Sequence, residues 1–313
     1  MISKIVRLDE STLTKLEKTC PLYFGAMNHF SNSNVVLSMS AACAYIMNEG
    51  GFVNVAEPIL SFLESTYSKS YLQIYEDRVR QLMLIQQDFN ASPSLLRLGD
   101  SSRSVDRVAY NITLLASIVF TNHRYEIMSQ LNFFLQMVKK PSGVIASIGM
   151  GTGYETMLAA NALNGWRIEG YDTDVDTHKT AARLLDFFDV SKKIELYNEF
   201  PLYDLQHDRV GIYDAIIFCE ILEHLLDPLM ALKSLKRALK PKGYIFLTMA
   251  VNIAQEDHIY WYPDIKACRL QIADAGLSIV GEKISPVTRE VIPKSRNREV
   301  SFASGNYIAL VSC

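Results

Sequence analysis

The feature that most constrains this chain is a change of rhythm after Pro141-Ser142-Gly143. Before that point apolar residues recur at helical spacing, as in Tyr71, Ile74, Tyr75, Val79, Leu82, Met83 and Ile85, and no alternating strand appears. Helices are expected over 10–18, 35–48, 57–66, 69–88, 107–121 and 124–139, with breaks at Gly50-Gly51, Ser92-Pro93 and the polar run 99–104. After it, short β-branched or apolar runs alternate with amphipathic segments, as in a parallel sheet with crossover helices. These runs predict strands at 144–148, 166–171, 193–197, 214–219, 243–249, 278–284 and 306–312. The βα alternation holds to about residue 277, and then two strands follow with only a polar loop, 285–305, between them. The fold class expected is therefore α/β: a Rossmann-like doubly wound sheet with a C-terminal antiparallel hairpin over 141–313, preceded by an all-helical domain over 1–140.

Composition narrows the partners. The 313 residues are 49% hydrophobic, ample for a buried core, and carry 31 basic against 34 acidic residues, a net charge of −3. Residues 1–140, the part expected to choose a substrate, hold 13 Lys or Arg and 12 Asp or Glu. No basic funnel for a polyanion is visible, so nucleic acid is not expected, although Arg289, Lys294, Arg296 and Arg298 form a small basic cluster in the last loop. Five widely spaced cysteines without a CxxC pair suggest neither a disulfide framework nor a zinc knuckle and fit a reducing cytoplasm. MISKIVRLDE lacks the apolar core of a signal peptide, and Val35 to Met47 is too short and too rich in Ser and Ala to span a bilayer, so no membrane association is expected. The sequence does not decide between a monomer and a homodimer.

The first strand runs into Ser147-Ile148-Gly149-Met150-Gly151-Thr152-Gly153, with a helix starting near Tyr154. Glycines here allow a sharp turn and close approach to a ligand, and the following helix presents free N–H groups to a negative charge. A dinucleotide fingerprint would need its third glycine at 154, where Tyr stands. The second strand ends in Asp172, 19 residues after Gly153, where a carboxylate can accept both hydroxyls of a ribose. Asp174 is read as the cap of the helix 175–188. The third element is Tyr213-Asp214-Ala215-Ile216-Ile217-Phe218-Cys219-Glu220-Ile221-Leu222-Glu223-His224, followed by Asp227-Pro228, a helix and Leu239-Lys240-Pro241-Lys242-Gly243.

Over about residues 141–284 this succession resembles the class I methyltransferases that use S-adenosylmethionine (SAM), in particular those with an EHL-type loop and an LKPGG turn, the group that includes ubiquinone-type O-methyltransferases. The resemblance implies that Gly149, Gly151 and Gly153 lie against the methionine half of SAM, that Asp172 holds the ribose, and that Cys219 and Glu220 line the floor beneath the sulfonium. It departs at Ser147, where the family usually has an acid that helps hold the SAM ammonium. Glu220, Glu223 and His224 form an ExxEH string. In small-RNA 2′-O-methyltransferases that string ligates a divalent metal with a later His, for which His258 is the candidate; relatives without metal carry it too, and no metal is assigned.

Asn252 to Pro263 follows the fifth strand, where loops face the ligand crevice, and holds Glu256, Asp257, His258, Tyr260, Trp261 and Tyr262. His258 is read as general base or substrate-positioning group, or the segment is a surface loop with its aromatics tucked onto the core, and no spacing rule distinguishes the two; Glu220 is the second catalytic candidate. On the helix before the first strand, Arg124 is read as a bidentate donor for the SAM carboxylate and Tyr125 as a cation–π cover for the sulfonium, the alternative being a solvated helix N-terminus with Glu126 at an early position. Tyr23, Phe24 and Phe30 are aromatic anchors for a lid or for core packing. The leading reading is methyl transfer from SAM to a small-molecule acceptor, with the helical domain closing over the crevice. Two alternatives stay open. One uses the same site for aminocarboxypropyl transfer or cyclisation of SAM with release of methylthioadenosine, as in nicotianamine synthase-like and azetidine-forming enzymes; the other is a non-catalytic SAM-binding partner protein.

Overall fold

The computed structural model describes residues 114, 115, 118, 122–204, 209–253, 258–286 and 305–313. The helices expected over 10–18, 35–48, 57–66 and 69–88, most of 107–121, the aromatic trio Tyr23, Phe24 and Phe30, Glu256 and Asp257, and the basic cluster in the last loop lie outside the described residues.

Helix α1 (Asn122–Val138) leads into strand β1 (Val144–Ile148), then α2 (Tyr154–Ala162), β2 (Arg167–Tyr171), α3 (Val175–Phe187), β3 (Ile194–Tyr197) and β4 (Tyr213–Cys219). A short 3-10 turn at Leu222–His224 precedes α4 (Pro228–Ala238), β5 (Leu239–Val251), α5 (Ile265–Asp274), β6 (Ser278–Pro286) and β7 (Gly305–Ser312). The strands form one seven-stranded sheet in the order β3-β2-β1-β4-β5-β7-β6. β1 to β5 pair in parallel, and β7 runs antiparallel between β5 and β6.

Alternation along the central strands explains the layers. Ile145 and Ile217 point to one face, where they meet Leu131, Phe134, Tyr154 and Leu184 from α1, α2 and α3. Ala146, Ile148, Ile216 and Phe218 point to the other, where they meet Leu232, Leu235 and Ile272 from α4 and α5. Both faces are covered, so the central strands read as near-continuous apolar runs. α1 belongs to this packing although it precedes the rhythm change at residue 141: Leu131, Phe134 and Leu135 are buried in the same core as the sheet. None of the described helices is long and apolar enough to cross a membrane.

β5 starts four residues earlier than its apolar run. Tyr213 pairs with Leu239 and Ala215 with Tyr244, so the Lys240-Pro241-Lys242 segment is carried as an irregularity, with Lys242 at φ 64°. A bulge of this kind bends a strand without ending its pairing. Opposite the ligand-facing end of the sheet, Asp214 joins three elements. Its carboxylate accepts from Lys140 at 2.6 Å, from Lys240 at 2.7 Å and from the Val144 N–H at 2.8 Å. Burial pushes its pKa up, but the bonds from Lys140, Lys240 and Val144 outweigh burial and hold it below the ordinary 3.8. Asp214→Asn is expected to lower the unfolding free energy at pH 7 by about 1–3 kcal/mol. A carboxylate with a depressed native pKa contributes fully above its unfolded value and loses that contribution as pH falls through the native one. The gap between parent and variant, read from urea unfolding, should therefore be constant down to about the 3.8 of a free aspartate and close below it.

Candidate functional site

The strand order reverses between β1 and β4, and in open α/β sheets the crevice at the carboxyl ends of such strands takes the ligand. Here a cleft of about 310 Å³ opens at that place. Its first wall is the loop after β1. Gly151 stands at φ +52°, and a Cβ built on it would meet nothing within 4 Å, so bare backbone faces open space. The Gly151 N–H donates to Asp172 Oδ2 at 2.9 Å, and the Asp174 N–H donates to Asp172 Oδ1 at 3.1 Å. The acid at the tip of β2 is thereby tied to the glycine loop at the tip of β1. Asp174 is the helix cap its position suggested, accepting from the Asp176 and Thr177 N–H groups at 2.9 and 2.8 Å.

Gly149, Gly151, Asp172, Cys219, Glu220, Arg124 and His258 all line the cleft. Gly153 and Tyr125 are not part of that lining, and both have another place. Gly153 caps α2 at φ +81°, with its missing Cβ 3.0 Å from the Ala181 Cβ on α3, so it serves the close approach of two helices. Tyr125 lies about 100° further round α1 than Arg124 and packs on the core. Gly153→Ala is expected to cost about 1–3 kcal/mol of stability through crowding and left-handed strain. Thermal unfolding measures it; an unchanged midpoint would deny the packing role.

The floor is built from β4, β5 and β7. Glu220 follows β4 at φ +53°, a conformation costly for a side chain with a Cβ and found where surrounding structure enforces it. Its own N–H donates to Thr248 Oγ1 at 3.0 Å, while Thr248 Oγ1 donates to Glu220 Oε1 at 2.7 Å and Asn306 Nδ2 donates to Glu220 Oε2 at 2.5 Å. Thr248 and Asn306 are fully buried, at 0% and 1% exposure, and Asn306 Oδ1 has no hydrogen-bond partner among the described residues. Asn306 lines the cleft. Sequence reasoning missed both residues; the only signal was a polar side chain interrupting each of two apolar strands near its ligand-facing end. Burial, then the charges of Glu155 and Glu220, push the Cys219 thiol well above its ordinary pKa. It is therefore a neutral lining group at neutral pH.

Two further polar groups enter from the helices. Glu155, in the first turn of α2, lines the cleft; burial raises its carboxyl, with Arg124 opposing. Burial, reinforced by the Arg124 charge, pushes His123 down to about 3, so its imidazole is neutral at physiological pH. Ser147 is buried on the cleft at the position where an acid was noted as missing.

Past Glu220, the turn Leu222–His224 carries Glu223, buried at 1% exposure, and His224, half-buried. The Glu223 carbonyl accepts from the Ile259 and Tyr260 N–H groups at 2.7 and 2.8 Å, which holds the segment after β5 against this turn. His258 is thereby brought to His224, with ring centroids 5.0 Å apart and planes at 87°. His258 Nδ1 lies 2.9 Å from the Ile253 carbonyl oxygen. A carbonyl only accepts, so Nδ1 carries the hydrogen, and in the neutral form of the ring the lone pair is at Nε2. One ligand atom from each of Glu223, His224 and His258 lies within 4.8 Å of the others.

A family model described as a methyltransferase domain matches residues 120–279. A tRNA U34 carboxymethyltransferase of Helicobacter pylori is 29% identical over 141 residues, 40% of this chain and 52% of that protein. A ubiquinone biosynthesis O-methyltransferase of Xanthomonas campestris is 28% identical over 119 residues, 38% of this chain and 48% of that protein. The chain thus spans about half the length of the curated relatives it matches. Among solved structures, the N-methyltransferase NodS of Bradyrhizobium japonicum, in complex with S-adenosylhomocysteine, aligns with 62% of this chain and 89% of its own at a TM-score of 0.43 and 15% identity.

Proposed function

Taking as premise that this chain belongs to the methyltransferase-domain family, we propose that it transfers the methyl group of SAM to a small-molecule acceptor held in the cleft at the ends of β1, β2, β4 and β5. The observation that carries this reading is the 2.9 Å bond from the Gly151 N–H to Asp172 Oδ2, which joins an open backbone cradle to an acid suited to a ribose diol. When bound, SAM supplies an electrophilic methyl carbon whose transfer breaks the C–S bond and leaves a neutral thioether. Asp172 would hold the sugar, the loop from Gly149 to Thr152 the methionine half, and Arg124 the carboxylate end. Glu155 stands on the cleft wall as the nearby acid, which Ser147 cannot be. A chain of this kind needs in-line placement and exclusion of water rather than a covalent nucleophile, and the neutral Cys219 thiol fits that requirement. His258, held through Nδ1 on the Ile253 carbonyl, would take the acceptor's proton at Nε2 as the methyl group is transferred.

The acceptor is read as small because the chain is nearly charge-balanced, without the basic excess that a polyanionic acceptor calls for. The tRNA-named relative matches only 40% of this chain, so tRNA belongs in the test as an alternative acceptor. Purified protein should be incubated with labelled SAM alone, with a small-molecule extract and with total tRNA. S-adenosylhomocysteine formed only with the extract is the expected result. Methylthioadenosine released without acceptor would replace the reading by cyclisation, label in tRNA would replace the acceptor class, and SAM binding with no product in any arm would leave a non-catalytic partner protein.

A further inference from the structure

We infer that the acceptor carries a primary amine seated on the floor formed by Glu220 and Asn306, and that its nitrogen is the atom methylated. The inference deepens the methyl-transfer reading and rests on it. What carries it is the accounting of donors and acceptors on that floor. Thr248 Oγ1 donates to Glu220 Oε1 at 2.7 Å, and Asn306 Nδ2 donates to Glu220 Oε2 at 2.5 Å. The hydroxyl has one hydrogen to give and gives it to Glu220, and the Asn306 amide turns its NH₂ end the same way. Each Glu220 oxygen keeps a second lone pair. Asn306 Oδ1 has no hydrogen-bond partner among the described residues, although Asn306 is 1% exposed and lines the cleft. A buried acceptor without a donor is costly, so this floor calls for a bound group that donates at least two hydrogens.

The sheet sets this floor apart from the sugar. Asp172 follows β2 and Asn306 stands on β7, and the order β2-β1-β4-β5-β7 separates them by four strand spacings, about 19 Å at about 4.8 Å each. A ribose held by Asp172 therefore leaves the ground over β5 and β7 to the acceptor. Charge selects among acceptors. Arg124 is the only Lys or Arg among the described residues that line the cleft, which also holds Glu155, Asp172, Asp174, Glu220 and Glu223. With Arg124 on the SAM carboxylate, a carboxylate or phosphate on the acceptor would face Glu220 without a Lys or Arg opposite. A hydroxyl would satisfy one of the two waiting acceptors. A primary ammonium satisfies both and carries the complementary charge. Its third proton passes to Nε2 of His258 on the same cleft, and the two remaining N–H groups, on Glu220 and Asn306 Oδ1, orient the freed electron pair. That pair forms the N–C bond to the methyl carbon as the C–S bond breaks. The C–S electrons stay on sulfur, which leaves as the neutral thioether, and the product is an N-methylammonium.

A small-molecule extract should be split on cation- and anion-exchange resins at neutral pH, and each fraction assayed with the full-length protein and methyl-labelled SAM. Formation of S-adenosylhomocysteine should follow the cation-retained fraction. It should vanish when that fraction is first treated with N-hydroxysuccinimidyl acetate, which acylates amines, and the label should stay in the product through alkaline hydrolysis, which frees methyl esters. Activity confined to the unretained or anion-retained fractions, or undiminished by acylation, overturns the amine. No S-adenosylhomocysteine from any fraction overturns the methyl-transfer reading itself and this inference with it. Asn306→Leu removes Oδ1 and should raise the amount of cationic fraction needed for half-maximal rate by about tenfold, with KM for SAM moved by less than about threefold. An unchanged half-saturation in a folded Asn306→Leu protein overturns the assigned floor. The fractionation is made on the parent, so it decides the acceptor class whether or not that variant folds.

Discussion

Asp172→Ala should weaken SAM binding by about 100-fold or more, read by calorimetry on the full chain. Each hydrogen bond to an ionised group contributes about 1.5–3 kcal/mol, and a diol gripped by one carboxylate makes two, so a loss of about 3–4 kcal/mol is expected at about tenfold per 1.4 kcal/mol. Asp172 also holds the Gly151 and Asp174 N–H groups in the ligand-free protein, and this complicates the simple sum. Asp172→Asn separates the two effects: an amide oxygen can still accept from Gly151, so the loop keeps one tether while the charge is lost. A second control uses the ligand. SAM, S-adenosylhomocysteine and methylthioadenosine share the ribose and should all lose affinity by a similar factor. A variant of Arg124 should hurt the two amino-acid-bearing ligands and spare methylthioadenosine. If Asp172→Ala binds SAM within about threefold of the parent, the placement of the adenosine is wrong.

That Asp172 was legible in the sequence while other parts of the cleft were not has a physical basis. Strand runs such as Val144–Ile148 and Tyr213–Cys219 are buried on both faces, so their composition betrays them, and the acid and glycines at their tips follow at short, countable distances. The edges of β5 escaped because a strand that bulges through Lys240-Pro241-Lys242 looks like a turn, and because the pairing of Ala250 and Val251 with β7 depends on a strand more than fifty residues away. The insertion of β7 between β5 and β6 is likewise a matter of pairing, on which apolar content is silent. Tyr125 shows the limit in the other direction. Arg124 and Tyr125 are equally plausible for the cleft by type, and only the rotation of α1 on the sheet sends one to the cleft and the other to the core. His224 and His258 stand 34 positions apart, and what unites them is a carbonyl at 223 accepting two N–H groups, a contact no spacing rule encodes.

The floor of the cleft offers the second large effect, through the polarity of one amide. Asn306 donates Nδ2 to Glu220 Oε2, which leaves Oδ1 as a buried acceptor on a residue that lines the cleft. Glu220→Gln reverses this. The new amide keeps its oxygen on Thr248 and turns its NH₂ toward Asn306, whose amide flips to meet it and presents Nδ2 to the cleft instead. A donor then stands where the parent holds an acceptor, and a bound molecule that donates to that atom loses about 1–3 kcal/mol. The expected result is a roughly 10- to 100-fold fall in kcat/KM with a modest change in melting temperature, because every protein-internal bond has a replacement. Asn306→Asp placed on Glu220→Gln should recover most of the activity: the introduced carboxylate accepts from the introduced amide through one oxygen and offers the other to the cleft. The same Asn306→Asp change alone sets two carboxylates face to face and should be worse than either the Glu220→Gln variant or the double variant. Additive losses in the double variant, with no recovery, would mean that the orientation of Asn306 plays no part in holding the bound molecule.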